Sequence, residues 1–327
     1  MKRRMSEKDA IIIAGILGLA VFLLLFKVWS PLVWGNGGNS TQAAVNATGE
    51  SIAANDMPES AASSPVTGSD VQSPSPQKKA GKTIETRFEA PEGYQRTESG
   101  EDSFTAFVRS YPLKKEGSKV RLYNGDKKQN QDAHAAVFKL PIENEDLQQC
   151  ADSVIRMYAE YFWKTEQYDR ISFKFADGFQ AEYVKWREGF RIQPGGSSGT
   201  VWVGGGNAYD ESYANFKKYI RMVFAYSSTI SLYQESKKTS LKKLQVGDIF
   251  IQSGSPGHVV MVVDISENLE GKKAFLLAQG YMPAQEFHLL KNPLHEDDPW
   301  YYEEEVTYPF ETPEYTFKKG SLRHPGY

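Results

Sequence analysis

The chain has one cysteine, Cys150, and only five histidines among 327 residues. A lone cysteine excludes an intrachain disulfide, so it is buried, shared between chains, or reactive. His288 falls within a strand pattern and His295 in an acidic loop, and neither stands at metal-ligand spacing from a second His or Cys, so no metal site is expected. The glycine runs at Gly195–Gly196 and Gly204–Gly206 lack the strand-loop-helix setting of a phosphate cradle, and no cofactor is expected either. A basic stripe is also missing. The formal charge is −3, and residues 1–34 hold five Lys/Arg against two Asp/Glu, which leaves the remainder at about −6. That balance argues against nucleic acid as the partner.

Large apolar side chains are scarce from Gly35 to Lys82 ("GNGGNSTQAAVNATGESIAANDMPESAASSPVTGSDVQSPSPQKKAGK"). Such a composition cannot bury a core, and it reads as a disordered tether with an r.m.s. reach of roughly 35–40 Å. Ahead of it stands an uninterrupted apolar run, Ala10–Phe26, preceded by Lys2, Arg3, Arg4 and Lys8 and followed by Lys27, Trp29 and Trp34. Length and flanks predict one transmembrane helix with its N-terminus inside and the rest of the chain outside the cytoplasm. A cleaved signal peptide is the competing reading, although the small residues of "TQAAVNATG" lie well beyond the run. No cysteine closes the run, so a lipid-modified anchor is not expected. The expected organisation is therefore a tail and anchor (1–34), a linker (35–82) and a globular extracytoplasmic domain (83–327).

Within that domain, "TIETRF" reads as a strand or turn, "SFTAFVRSYPL" as a short helix and "HAAVFKLPI" as a strand. In "CADSVIRMYAEYFW", Ala151, Val154, Ile155, Tyr158 and Phe162 recur at 3.6-residue spacing and predict an amphipathic helix with Cys150 in its first turn; Asn144 and Asp146 are candidate caps. A second helix follows from Tyr213, Phe216, Tyr219, Ile220, Val223 and Phe224, capped by Asp210 or Ser212. Between the two, "GGSSGTVWVGGGNAY" is expected to be an irregular, mobile loop. The strand-rich remainder ("DIFIQ", "HVVMVVDIS", "KKAFLLAQGYM", "QEFHLLKN") completes an α+β domain, helices packed on an antiparallel sheet.

Thiol hydrolysis needs a sulfur nucleophile, a base for its proton, a group that orients the base, and donors for the oxyanion. A cysteine in a first helical turn is placed for this, because free backbone N–H groups there favour both thiolate and oxyanion. His258 opens a core strand next to the small-residue turn "GSPG", and Gln279 lies on the following strand where it can orient an imidazole. His134, also at the head of a strand, is the rival base. Asp177, Trp186 and Arg191 offer an aromatic platform and a guanidinium fork suited to sugar or carboxylate recognition.

The order Cys, His on a strand, polar residue on the next strand, with the phrase "VGDIFIQSGSPGHVVMVVDI", resembles the papain-like cell-wall hydrolases of the CHAP and NlpC types. Around the cysteine, "QQCADSV" departs from their usual small residue and glycine. A longer resemblance runs over residues 83–322. "RFEAPEGYQR", "SFTAFVRSYPL", "VRLYNGDKKQNQDAHAAVFKL", "LQQCADSVIRMYAEY", "FKFADGF", "KWREGFR", "GDIFIQSGSPGHVVMVVD" and "LLAQGYMPAQEFHLLKNP" together resemble the bacterial family catalogued as domain of unknown function 4846. The first resemblance implies a membrane-anchored Cys/His amidase or peptidase of papain-like fold, acting on cell-wall peptide or amide bonds through Cys150, His258 and Gln279. The alternative is a non-catalytic module that binds envelope glycan or peptide around Asp177, Trp186 and Arg191.

Overall fold

A computed structural model describes residues 81–195, 199–206 and 208–327. The expected transmembrane run and the linker up to residue 80 lie outside these residues; among those described, no helix is long and apolar enough to cross a membrane. Gly81 and Lys82 already belong to the folded unit, since their carbonyls accept from Arg87 Nε (2.8 Å) and the Leu113 N–H (2.7 Å).

In chain order the elements are α1 (Ile84–Arg87), β1 (Tyr94–Arg96), α2 (Phe104–Ser110), β2 (His134–Val137), α3 (Cys150–Lys164), β3 (Ser172–Lys174), β4 (Gln180–Glu182), α4 (Tyr183–Arg187), β5 (Phe190–Gln193) and β6 (Val201–Gly204). There follow α5 (Tyr213–Tyr226), α6 (Thr229–Glu235), β7 (Ser236–Lys238), β8 (Ile249–Gln252), β9 (His258–Asn268), β10 (Lys273–Gln279), β11 (His288–Leu290), β12 (Tyr301–Tyr302), β13 (Phe310–Thr312), β14 (Tyr315–Phe317) and β15 (Leu322–Pro325). The α+β class expected from the sequence is present.

Among the described residues, one antiparallel sheet runs β2-β11-β10-β9-β8-β15-β7, with β1 paired to β9 and β12 to β10. β8 to β11 form the expected meander. Every residue of β10, and β9 from His258 to Ser266, is buried, which explains why these strands read as continuous apolar runs rather than alternating ones. Side-chain alternation divides the two faces. Register pairs Gln252 with His258, Ala278 with Met261, and Gln279 with His288. Val259, Met261, Ala278 and Gly280 therefore share the face covered by α3, while His258, Gln279, His288 and Phe250 lie on the other. There the β13–β14 hairpin packs Phe310 against Phe250 at 4.6 Å between ring centroids.

Three local expectations are corrected. "TIETRF" forms a helical turn, because Thr83 caps it by accepting from the Thr86 N–H. The stretch expected to be irregular contains β6, which pairs with β5; Trp202 turns inward against Phe179 while Val201 and Val203 stay exposed. Asn144 and Asp146 do not cap α3. The N-cap is Gln149, whose N–H donates to Asp152 Oδ2 at 3.1 Å, and Asp146 instead accepts from the Ala284 N–H at 2.6 Å. Ser212 caps α5 as expected.

Candidate functional site

α3 begins at Cys150 because Gln149 still has extended backbone and Asp152 closes the first turn from within. The thiol is free and only 5% exposed. It borders a cleft of about 360 Å³, whose walls include Gln149, Asp152, Thr229, Pro256, Gly257 and Met282. The small residues of "GSPG" thus form one wall.

The β9–β10 ladder stops at the Met261–Ala278 pair. Beyond it, the Val259 N–H faces the Cys150 sulfur, as do the N–H groups of Cys150 and Ala151. These donors favour a thiolate, but burial and the nearby Asp152 outweigh them, and the thiol is pushed up to about 12. At neutral pH the sulfur is protonated. The expectation from the helix N-terminus alone, a thiolate-favouring site, is corrected by the dryness of the position.

Gly280 lets α3 come this close to the sheet. A Cβ at Gly280 would strike Ser153 Oγ and stand 2.8 Å from the Gln149 carbonyl oxygen. Ser153 cannot turn aside freely, because its hydroxyl donates to that same carbonyl at 2.8 Å. Gly280→Ala is accordingly expected to lower stability by about 1–3 kcal/mol through overpacking. A urea midpoint equal to that of the parent chain would show that α3 has room to shift.

His258, one residue before the amide that faces the sulfur, is 3% exposed. Its Nε2 lies 2.7 Å from Gln279 Oε1, and the rings of Tyr281 and Tyr315 pack against it at 4.7 and 4.9 Å between centroids. Burial holds the imidazole down to about 4, so it is neutral under the same conditions as the thiol. Among the described residues no hydrogen bond joins the thiol to the imidazole, but the two share neighbours: Cys150 acts electrostatically on Tyr281 and Tyr315, whose rings pack on His258. Among the described residues, His258 forms a hydrogen bond through Nε2 and none through Nδ1.

Behind Gln279 lies a second set of buried polar groups with no counterpart in the sequence motifs. Gln279 Nε2 is 2.7 Å from Glu314 Oε2 and 3.3 Å from His288 Nε2. Lys128 is ion-paired with Glu314 and stands 3.3 Å from His288 Nε2. Lys128 precedes β2 and Glu314 sits in the turn between β13 and β14, so neither carries a local signature.

The remaining candidates are placed elsewhere. His134 is not the base for Cys150: β2 is separated from β9 by β11 and β10, and its Nε2 is taken by the Ser118 carbonyl at 3.0 Å. Trp186 is not an open platform. It is 5% exposed, its indole N–H donates to Asn215 Oδ1 at 2.8 Å, and the Arg191 guanidinium covers its ring at 4.5 Å. Asp177 is exposed in the β3–β4 turn and accepts from Thr200 Oγ1 at 2.5 Å. Among the described residues, no group of three His, Cys, Asp or Glu is arranged to hold a metal ion.

No curated protein and no solved structure matches the chain. A family profile does match, over residues 84–324, from the start of α1 into β15. The chain belongs to the family described as Domain of unknown function (4846).

Proposed function

We propose that this protein is a thiol hydrolase, an amidase or peptidase in which Cys150 is the nucleophile, His258 the base and Gln279 the residue that orients it. One observation carries the reading: the backbone amide that faces the Cys150 sulfur belongs to Val259, the residue next to a buried imidazole whose Nε2 is engaged and whose Nδ1 is free. A substrate carbonyl in the "GSPG" cleft meets Sγ at the N-terminus of α3, where the Cys150 N–H supports the oxyanion. Sγ forms the bond to the carbonyl carbon as its proton passes to His258 Nδ1, and that proton leaves with the amine. Water then hydrolyses the acyl-enzyme. Because thiol and imidazole are both neutral at rest, His258 acts as a general base during attack and not as the partner of a standing thiolate.

In this reading the finer fold is papain-like, of the CHAP and NlpC kind. Residues 10–26 anchor the chain in a membrane, the domain lies outside the cytoplasm, and the substrates are peptide or amide bonds of the cell wall. A second reading, a module that binds envelope peptide or glycan without cleaving it, is favoured by the raised thiol and by the missing thiol–imidazole hydrogen bond. Its site would be the same cleft, since Trp186 is covered.

Alkylation of the full chain by iodoacetamide separates the two. On the hydrolase reading, Cys150 reacts in the native protein and His258→Ala slows it by about 10²-fold or more, the lower end of what a positioned base contributes. A thiol that reacts only after denaturation, with or without His258, would leave the binding reading standing.

A further inference from the structure

We infer that Glu314, delivered by the β13–β14 hairpin, is a positioning residue that determines which nitrogen of His258 carries the proton. The inference rests on the hydrolase reading for its catalytic meaning, but its physical content is a statement about one hydrogen-bond chain.

A glutamine side chain has nearly the same shape either way round, and only its partners distinguish the oxygen from the nitrogen. Gln279 is fully buried and fixed between two sets of partners. On one side stand Glu314 Oε2 at 2.7 Å and His288 Nε2 at 3.3 Å. A carboxylate only accepts. Glu314 is ionised: burial acts against its charge, but the ion pair with the Lys128 ammonium holds the carboxyl below its usual range. His288 points the same way. Its Nδ1 lies 2.8 Å from the Glu286 carbonyl and must donate there, so in the neutral ring, which burial favours, Nε2 is also an acceptor.

Two acceptors on that side require the NH₂ end of Gln279. The oxygen is thereby turned toward His258, at 2.7 Å from Nε2. An amide oxygen accepts, so Nε2 must hold the proton and Nδ1 must hold the lone pair. Among the described residues Nδ1 is the nitrogen that forms no hydrogen bond, and a base needs its lone pair on the nitrogen that is free to take a proton. Lys128 completes the chain from the far end. Its ammonium sits against both Glu314 and His288 Nε2 and keeps the first charged and the second an acceptor. The same hairpin contributes Tyr315, which packs on His258 and donates through its hydroxyl to the Pro256 carbonyl at 3.2 Å. Orientation of the base and one wall of the cleft thus depend on one short segment.

The test is the tautomer itself, read from long-range ¹H–¹⁵N correlations of the full chain labelled with [¹⁵N]histidine. The five histidines keep the spectrum small, and loss of one signal set in His258→Ala assigns the ring. The parent protein should show His258 as the Nε2–H form alone, since Glu314 is an acceptor there. Glu314→Gln presents an amide that can donate or accept, so Gln279 is free to reverse and the Nδ1–H form should appear. The double variant Glu314→Gln/Lys128→Met should do the same without stranding a buried ammonium, which covers the case in which the single variant folds poorly. Persistence of the Nε2–H form alone in both Glu314 variants would overturn the inference.

Cys150 alkylation distinguishes the outcomes. If His258→Ala slows it, Glu314→Gln should slow it as well, by up to the 10²–10⁴-fold that a general base contributes. If His258→Ala leaves it unchanged while Glu314→Gln still redistributes the tautomers, the hydrolase reading fails and the positioning role of Glu314 stands.

Discussion

Asp264→Ala is expected to destabilise the domain by about 3–5 kcal/mol, the cost of removing one partner from a buried ion pair. Asp264 lies in the middle of β9 with no exposed side-chain surface. Its two oxygens accept from Arg96 Nε at 2.7 Å and from Arg109 Nε at 2.6 Å, and Oδ1 also accepts from the Ile265 N–H at 2.8 Å. Both guanidiniums are committed further: Arg96 donates to the Phe88 carbonyl, and Arg109 to the carbonyls of Thr97 (2.6 Å) and Ile265 (2.9 Å). One carboxylate therefore fastens β1 and α2 to the centre of the sheet. Alanine leaves two guanidiniums facing each other without a counter-charge in a low-dielectric interior. For a domain of this size the loss corresponds to a fall in Tm of about 6–20 °C. Thermal unfolding followed by circular dichroism reads it directly, and Asp264→Asn, which keeps an acceptor oxygen, should fall between parent and alanine. A Tm within about 2 °C of the parent would mean that water or another group reaches the site, and the clamp would have to be abandoned.

On the hydrolase reading, loss of turnover on Cys150→Ala is expected to be complete within detection, and on His258→Ala to be about 10³-fold or more, since nucleophile and base would act as one unit. The substrates to use are purified cell-wall fragments, with new amino groups as the readout. The pH profile follows from the direction in which burial moves each group. His258 is held down to about 4, so the base keeps its lone pair far below the ordinary imidazole range and is lost only as pH falls through that value. The thiol at about 12 titrates beyond the upper limit of a practical assay. Rate should then be level from about pH 5 to pH 9, where a standing thiolate–imidazolium pair would give a bell. A sharp acid limb near 6.5 would show that His258 is solvated and that a different histidine sets the rate. Full turnover by Cys150→Ala would end the thiol reading outright.

Much of this arrangement was legible because it depends on local pattern. The helix from Cys150 follows from spacing, the long strand from His258 follows from its apolar run, and the Gln279 strand follows as its hairpin partner. What pattern could not convey was contact: the Val259 N–H that faces the Cys150 sulfur is brought there by the packing of α3 on the sheet, which no stretch of sequence expresses. Nor could pattern convey solvation: a helix N-terminus argues for a thiolate, and burial reverses that sign. Trp186 and Arg191 looked like a recognition pair from their residue types, yet they are stacked on each other over Asn215 within the fold. Lys128 and Glu314 meet across 186 residues of chain, and their significance exists only once the hairpin has packed on His258. The cap of α3 was misassigned for a simpler reason, namely that Asp146 had another donor to satisfy in Ala284.

The position of β15 has a consequence for biosynthesis. Leu322–Pro325 is later in the chain than every other strand, yet it sits inside the sheet, with β8 on one side and β7 on the other. While the polypeptide is emerging from the ribosome, Ser236–Lys238 has no neighbour to pair with, and the open side of Ile249–Gln252 is exposed. Both backbone edges must wait, unpaired, until Leu322–Pro325 has been translated. A chain stalled or clipped before residue 322 would carry two adhesive strand borders, so holdase chaperones and quality-control proteases should meet this protein mainly in that interval.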